Sequence, residues 1–225
     1  LMGHQPRAAM QQLQQAVDAA AGRHIPLIGE GWNFGEVADG ARFVQASQLS
    51  LNGSGIASFS DRGRDAARGG GCCDNPQETA TRPGWLGGGA GATPQAADLL
   101  RLALAGTLRG YAFTTHTGEV KRGDAINYSG QPAGFASQPG EVVNYVENHD
   151  NQTLFDLNTL KLPRDTSSAD RARVQVLGLA LTAFSQGVAY FHAGVDLLRS
   201  KSGDRDSYDS GDWFNRIDWA AADNG

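Results

Sequence analysis

Cysteine is nearly missing from this chain. Its 225 residues hold only Cys72 and Cys73, side by side in the run GGGCCDNP. Adjacent cysteines bridge only with strain, and two thiols without ligand spacing around them make a poor metal site. The pair is therefore expected as free thiols, and the redox compartment stays open. A basic run is missing too. With 19 Lys and Arg against 24 Asp and Glu, the formal charge is −5, and no cluster stands ready to attract a phosphate backbone. Nucleic acid is excluded as an expected partner. No apolar run is long enough to cross a bilayer, so no membrane span is expected, and the first residues lack the charged-then-apolar pattern of a signal peptide.

Several catalytic signatures are also absent. There is no His-Glu-x-x-His and no second histidine at metal spacing, so the expected metal is none. Gly53-Ser54-Gly55 lacks the Gly-x-Ser-x-Gly spacing of a serine hydrolase. The glycine-rich residues 84–93 resemble a phosphate cradle only in composition, without GxxxxGK[ST] and without a strand before them, and are expected as a flexible loop. What remains is a chain long enough to bury a core as one domain, with nothing that forces two.

The elements that can be read alternate. Pro6 sits near the first position of a helix whose Met10, Leu13 and Val17 form one apolar face and whose stop is Gly22. Residues 23–29 read as a strand ending at Glu30, and residues 55–60 as a strand ending in the charged segment DRGRD. From Arg68 to Thr93 a long surface loop is expected, then a helix from Thr93-Pro94 closing near Gly110. Tyr111 to Gly140 reads as polar and irregular. It leads into the run Val142-Val143-Asn144-Tyr145-Val146-Glu147, which stops at His149-Asp150-Asn151. After it come a loop to about Ser168, a helix carrying Val174, Leu177, Leu181 and Phe184 and ended by Gly187, and a strand over residues 188–191. Alternation of this kind argues for a parallel sheet covered by helices, with about four strands, half of an eight-stranded barrel.

Chemistry is expected where strands end in polar groups. Glu30 stands between two glycines and ahead of Trp32. A carboxyl group against an indole face is partly desolvated, which favours the neutral form that a general acid needs; a surface glutamate in a turn is the bland alternative. Asp150 is a second carboxylate at a second strand end, and a pair of carboxylates is what glycoside hydrolysis uses. His149 fits a hydrogen-bond donor to a hydroxylated substrate better than a metal ligand. Trp32, Trp85, Trp213 and Trp219 lie in loops or beyond strand ends, where an indole can stack on a sugar ring; Trp85 and Trp219 are expected instead as core anchors.

Four stretches carry a family resemblance. GEGW at 29–32, VNYVENHDNQTL at 143–154 and LLRSKSGDRDSYDSGDWFNR at 197–216 resemble the pullulanase-type debranching enzymes of the α-amylase superfamily (glycoside hydrolase family 13), as does SFSDRGRDAARGG at 58–70. The resemblance runs over almost the whole chain. It implies an α/β fold, the second half (about strands 5–8) of a TIM (β/α)8 barrel with long strand-to-helix loops, so that residues 1–225 are a partial catalytic domain. It implies retaining hydrolysis of α-1,6-glucosidic bonds, with pullulan, starch, glycogen and limit dextrins as substrates. By position, Glu30 is similar to the general acid and base, Asp150 to the carboxylate that stabilises the oxocarbenium-like transition state, and His149 to the histidine that donates to sugar hydroxyls beside it. Trp32 resembles the tryptophan flanking the acid, Asn151 lies in the same substrate-binding run, and Asp206 and Asp212 resemble acidic groups that hold the glucan further along. No cofactor is implied, and calcium is left open. In the family the nucleophilic aspartate stands just before a Leu-Met-Gly-His run, which here begins at Leu1. The expectation is therefore a chain inactive by itself, with a catalytically silent α-glucan-binding fragment as the alternative. The resemblance favours an extracellular or cell-envelope location for the parent protein.

Overall fold

The structure, a computed structural model, describes residues 5–224. The described chain is α/β and divides into two units. One holds residues up to 60, 105–144 and 186–188, and the other holds 61–104, 145–185 and 189 onward.

In the first unit, α1 (Pro6–Ala21) opens with Pro6 in its first turn and stops at Gly22, whose φ of 66° is the left-handed conformation that glycine adopts at little cost. Pro6 is the only buried residue of this helix; of the apolar face read from the sequence, Met10 and Val17 are half-buried and Leu13 is exposed. Four short strands make one sheet in the order β1 (Ile28–Gly29), β2 (Ala57–Phe59), β7 (Val142–Asn144), β8 (Val188–Ala189). β1 runs parallel to β2, with Gly29 opposite Ser58, and β2 runs parallel to β7, with Phe59 opposite Val143. Every residue of β2 and β7 is buried, Ser58 and Asn144 included, so neither strand shows the alternation of a half-exposed strand. The expected strand over residues 188–191 is shorter, ending at Ala189.

Between β2 and β7, residues 111–140 are more regular than expected. β3 (Ala112–Thr114) pairs antiparallel with β4 (Val120–Arg122), and β5 (Asn127–Tyr128) with β6 (Gln131–Pro132). The Asn127 side chain accepts from the Gly130 N–H at 3.0 Å and closes the second turn. Phe135, Ala136 and Val142 form a small core with Leu108.

The second unit is helical. DRGRD is not a charged loop but the start of α2 (Asp61–Arg68), which buries Arg62, Arg64 and Arg68. The expected surface loop over 68–93 is also corrected. It holds α3 (Pro76–Thr81), closed by a reciprocal Asn75–Glu78 capping box, and two single 3-10 turns, Trp85–Gly87 and Gly89–Gly91. Leu86 in the first of these is buried in the core and Trp85 packs against it, as a core anchor should. α4 (Pro94–Leu104) is capped by Thr93, whose hydroxyl accepts from the Ala96 N–H at 3.1 Å. A helix missed in the sequence, α5 (Leu154–Lys161), occupies part of the expected loop after Asp150. α6 (Ser168–Phe184) stops three residues before Gly187, and α7 (Asp212–Asn215) is one turn. Ala66, Ala67, Leu86, Leu100, Val146 and Leu154 make the core, covered by Leu99, Val174 and Leu181. Among the described residues no helix is long and apolar enough to cross a membrane.

Cys72 and Cys73 are joined as a disulfide, which corrects the expectation of free thiols. Gly69 and Gly70, shortly before the pair, take φ of 79° and 77°, left-handed conformations that glycine adopts at little cost. Arg205 holds this loop by donating to the carbonyls of Cys72 and Asp74, both at 2.8 Å.

Two outcomes follow from the packing. Leu154 is fully buried, so Leu154→Ala should lower stability by about 2–5 kcal/mol in urea unfolding followed by circular dichroism. A loss under about 1 kcal/mol would mean that the site collapses onto the gap. A Cβ at Gly31 would stand 2.8 Å from the Gln48 backbone nitrogen and 2.8 Å from Ser58 Oγ. Because the nitrogen belongs to the main chain and cannot rotate away, Gly31→Ala should cost about 1–3 kcal/mol in the same measurement, and a neutral result would overturn that steric account.

Candidate functional site

Glu30 follows β1 directly, at the carboxyl end of a parallel strand, where side chains project into loops. It is exposed, which corrects the desolvation expected from its neighbours. Trp32, two residues on, is half-buried, and its carbonyl accepts from the Gln45 side chain at 3.0 Å. Gly31 between them is buried against Gln48 and Ser58. Glycine is thus the residue that lets GEGW pass this close to the Gln48 main chain. Glu30 and Trp32 belong to the first unit; His149, Asp150, Asn151, Asp206 and Asp212 belong to the second.

In the second unit the run after β7 stays buried through Asn148 and then emerges. His149 Nε2 stands 3.7 Å from Asp150 Oδ1, with side chains 58% and 35% exposed, so His149 is open to solvent and Asp150 is half-buried. The loop that presents them is built from polar side chains. Asn148 Oδ1 accepts from the Asp150 N–H at 2.9 Å, and Asn151 takes a φ of 64°, a left-handed conformation that asparagine tolerates better than most residues. The Tyr208 ring lies 6.2 Å from the His149 ring.

Two buried networks fix this loop to its surroundings. Arg68, pushed down to about 10 by burial and then by the neighbouring Arg64 guanidinium, donates to the carbonyls of Val146 and Gln152, each at 2.9 Å. Those carbonyls flank His149-Asp150 on either side. Asp156 accepts from the Ser200 hydroxyl at 2.5 Å and from the Lys201 N–H at 2.8 Å. The Lys201 ammonium donates to Ser207 Oγ at 2.7 Å, and Ser207 reaches the His149 carbonyl at 3.4 Å. Burial holds the Lys201 ammonium below the usual lysine range, with Arg199 pushing the same way and Glu147 pulling back up.

The acidic residues of the 197–216 run are peripheral to these networks. Asp206 is exposed, 4.0 Å from the Arg205 guanidinium, and its N–H donates to Asp204. Asp212 is exposed in the first turn of α7. Trp213 is 63% exposed with the Arg216 guanidinium 4.8 Å from its ring centroid. Trp219 is 73% exposed, so it is not the core anchor expected of it. The residues that sequence reasoning missed are the buried ones: Arg68, Glu147, Asp156, Lys201 and Ser207. One signal was available for Glu147, a carboxylate set directly after an apolar β-branched run.

No protein-family model matches the chain. It is 42% identical over 243 residues to pullulanase 1, chloroplastic, of Arabidopsis thaliana, covering 100% of this chain and 25% of that protein. It is 43% identical over 236 residues to the pullulanase of Klebsiella aerogenes, covering 100% of this chain and 21% of that one. Among solved structures, ligand-free PulA from Klebsiella pneumoniae superposes with a TM-score of 0.89 at 43% identity, over 98% of this chain and 22% of that chain. The maltotriose complex of PulA from Klebsiella pneumoniae gives 0.88 over 98% and 24%. The chain therefore spans only a quarter or less of these relatives' length. Over its whole length, it is strongly homologous in sequence and structure to a segment of the pullulanases.

Proposed function

We propose that the chain is part of a debranching glycoside hydrolase that cleaves α-1,6-glucosidic bonds of pullulan and branched α-glucans with retention. The observation that carries the proposal is homology to pullulanases at 42–43% identity across 100% of the chain. The α/β character supports a finer reading, in which the parallel strands β1, β2 and β7 with β8 are about the fifth to eighth strands of a TIM barrel of glycoside hydrolase family 13, and residues 1–225 are part of its catalytic domain.

In this reading Glu30 protonates the leaving glycosidic oxygen while the nucleophilic aspartate, which the family resemblance puts just before the Leu-Met-Gly-His run, takes the sugar as a glycosyl ester, and Glu30 afterwards takes a proton from the water that hydrolyses that ester. Asp150 stabilises positive charge on the sugar ring, since a carboxylate next to an oxocarbenium-like centre gains most in the transition state. His149, held 3.7 Å from Asp150, donates to a hydroxyl of the same sugar. Asn151 lies beside them on the loop, Trp32 offers its ring to the leaving side, and Asp206 and Asp212 hold glucan further along. Starch, glycogen and limit dextrins are substrates of the same chemistry.

The complete product of the gene that encodes this chain should release reducing ends from pullulan. Glu30→Gln in it should lower kcat by about 10²–10⁴-fold, the usual worth of general acid and base assistance. Near-normal turnover by that variant would refute the role of Glu30. Binding of maltooligosaccharides without any hydrolysis by the wild-type protein would refute the enzymatic reading and favour a silent glucan-binding one.

A further inference from the structure

Glu147 lies two residues before His149 and is one of the largest fully buried side chains in the molecule. Its carboxyl group faces two ways. Oε2 accepts from the Leu154 N–H at 2.6 Å, the first helical residue of α5, and Oε1 stands 2.9 Å from His192 Nδ1. An ionised carboxylate can only accept, so this contact with ionised Glu147 takes the His192 form with a proton on Nδ1. The two partners stand at different ends of the problem: Leu154 closes the loop that runs from Asn148 to Thr153, and His192 belongs to the segment beyond β8. Arg68 repeats the device at the same place, bridging Val146 and Gln152 across the base of the loop.

We infer that Glu147 is a positioning residue for the His149-Asp150 pair: by joining Leu154 and His192 it closes the base of the loop and sets where that pair projects. The inference rests on the glucan-hydrolase reading for its kinetic consequence, though not for its structural one. Loop residues 148–153 contain no apolar side chain, and His149 is exposed while Asp150 is half-buried. Their placement depends on the polar groups at the loop base.

Reach and charge can be separated by two conservative substitutions. Glu147→Asp keeps the charge but is one methylene shorter, so its carboxylate cannot meet both Leu154 and His192. Glu147→Gln loses the charge but keeps the reach, accepting from Leu154 and donating to the other tautomer of His192. In the complete gene product, Glu147→Asp should lower kcat on pullulan by about 10²-fold with KM nearly unchanged, as misplacement of a reacting group by about 1 Å does. Glu147→Gln should stay close to wild type. Hydrogen exchange on the same proteins gives a readout independent of activity. The Asp150 N–H is bonded to Asn148 and not to Glu147. Its exchange should nevertheless rise by about 10-fold or more in Glu147→Asp, through local opening of the loop, while amides of α6 are unchanged. Unchanged Asp150 exchange in Glu147→Asp, or an equal loss in Glu147→Gln, would overturn the positioning role. A wild-type protein without pullulan hydrolysis would overturn the functional reading alone, and the exchange data would still decide the positioning role.

Discussion

The second unit is organised around one buried carboxyl group. Moving a lone carboxylate out of water costs several kcal/mol, and only good hydrogen bonds with nearby positive charge repay it. Glu147 has two such bonds, to Leu154 and His192, and the first places it at the amino end of α5, where the helix dipole favours negative charge. The cations around it are in the mirror situation. Burial pushes Arg68, Arg199 and Lys201 down, and in each case Glu147 pulls back up. The geometry of the run from Val146 to Leu154 is therefore set by polar pairing as much as by the apolar core beneath it.

That arrangement explains what could and could not be read from the sequence. The strands β1, β2 and β7 were legible because Ile, Val and Phe in short runs have few other places to go, and the polar residues at their ends were legible as loops. α1, α4 and α6 were legible from their spacing and from Pro6, Thr93 and Gly22. α2 was not, because a helix that buries Arg62, Arg64 and Arg68 has an apolar face made of alanines alone, and arginine is ordinarily an exposed residue. α5 was hidden for a similar reason, since Asp156 and Asn158 are among its buried residues. The two hairpins between Ala112 and Pro132 rest on turns and backbone pairing, with strands two or three residues long, too short for any period to declare itself.

The candidate site was legible for a different reason. Glu30, Trp32, His149 and Asp150 stood out because each is chemically out of place at the end of an apolar run. Their supports did not stand out, since a buried Glu147 or Lys201 looks in sequence like any surface charge. Desolvation was the part of the expectation that failed. A glycine-flanked carboxyl beside an indole suggested burial at Glu30, yet the indole lies only partly buried and the carboxyl is exposed. Sequence proximity to an aromatic ring does not establish that the ring covers the group.

This exposure bears on how the proposed chemistry would work. Charges that face water interact weakly, by about 1 kcal/mol at 4 Å, and that is too little to stabilise a developing cation strongly. In the proposed hydrolysis the glucan itself excludes the water from His149 and Asp150 as it binds, so their full electrostatic effect arises only in the complex. A site of this kind needs side chains that are exposed before binding but do not move when the water leaves. The loop meets that need by anchoring its exposed pair to groups held in the interior, Glu147, Arg68 and the Asp156–Lys201–Ser207 chain. In that proposal the buried charges serve position, while His149 and Asp150 are left for the substrate.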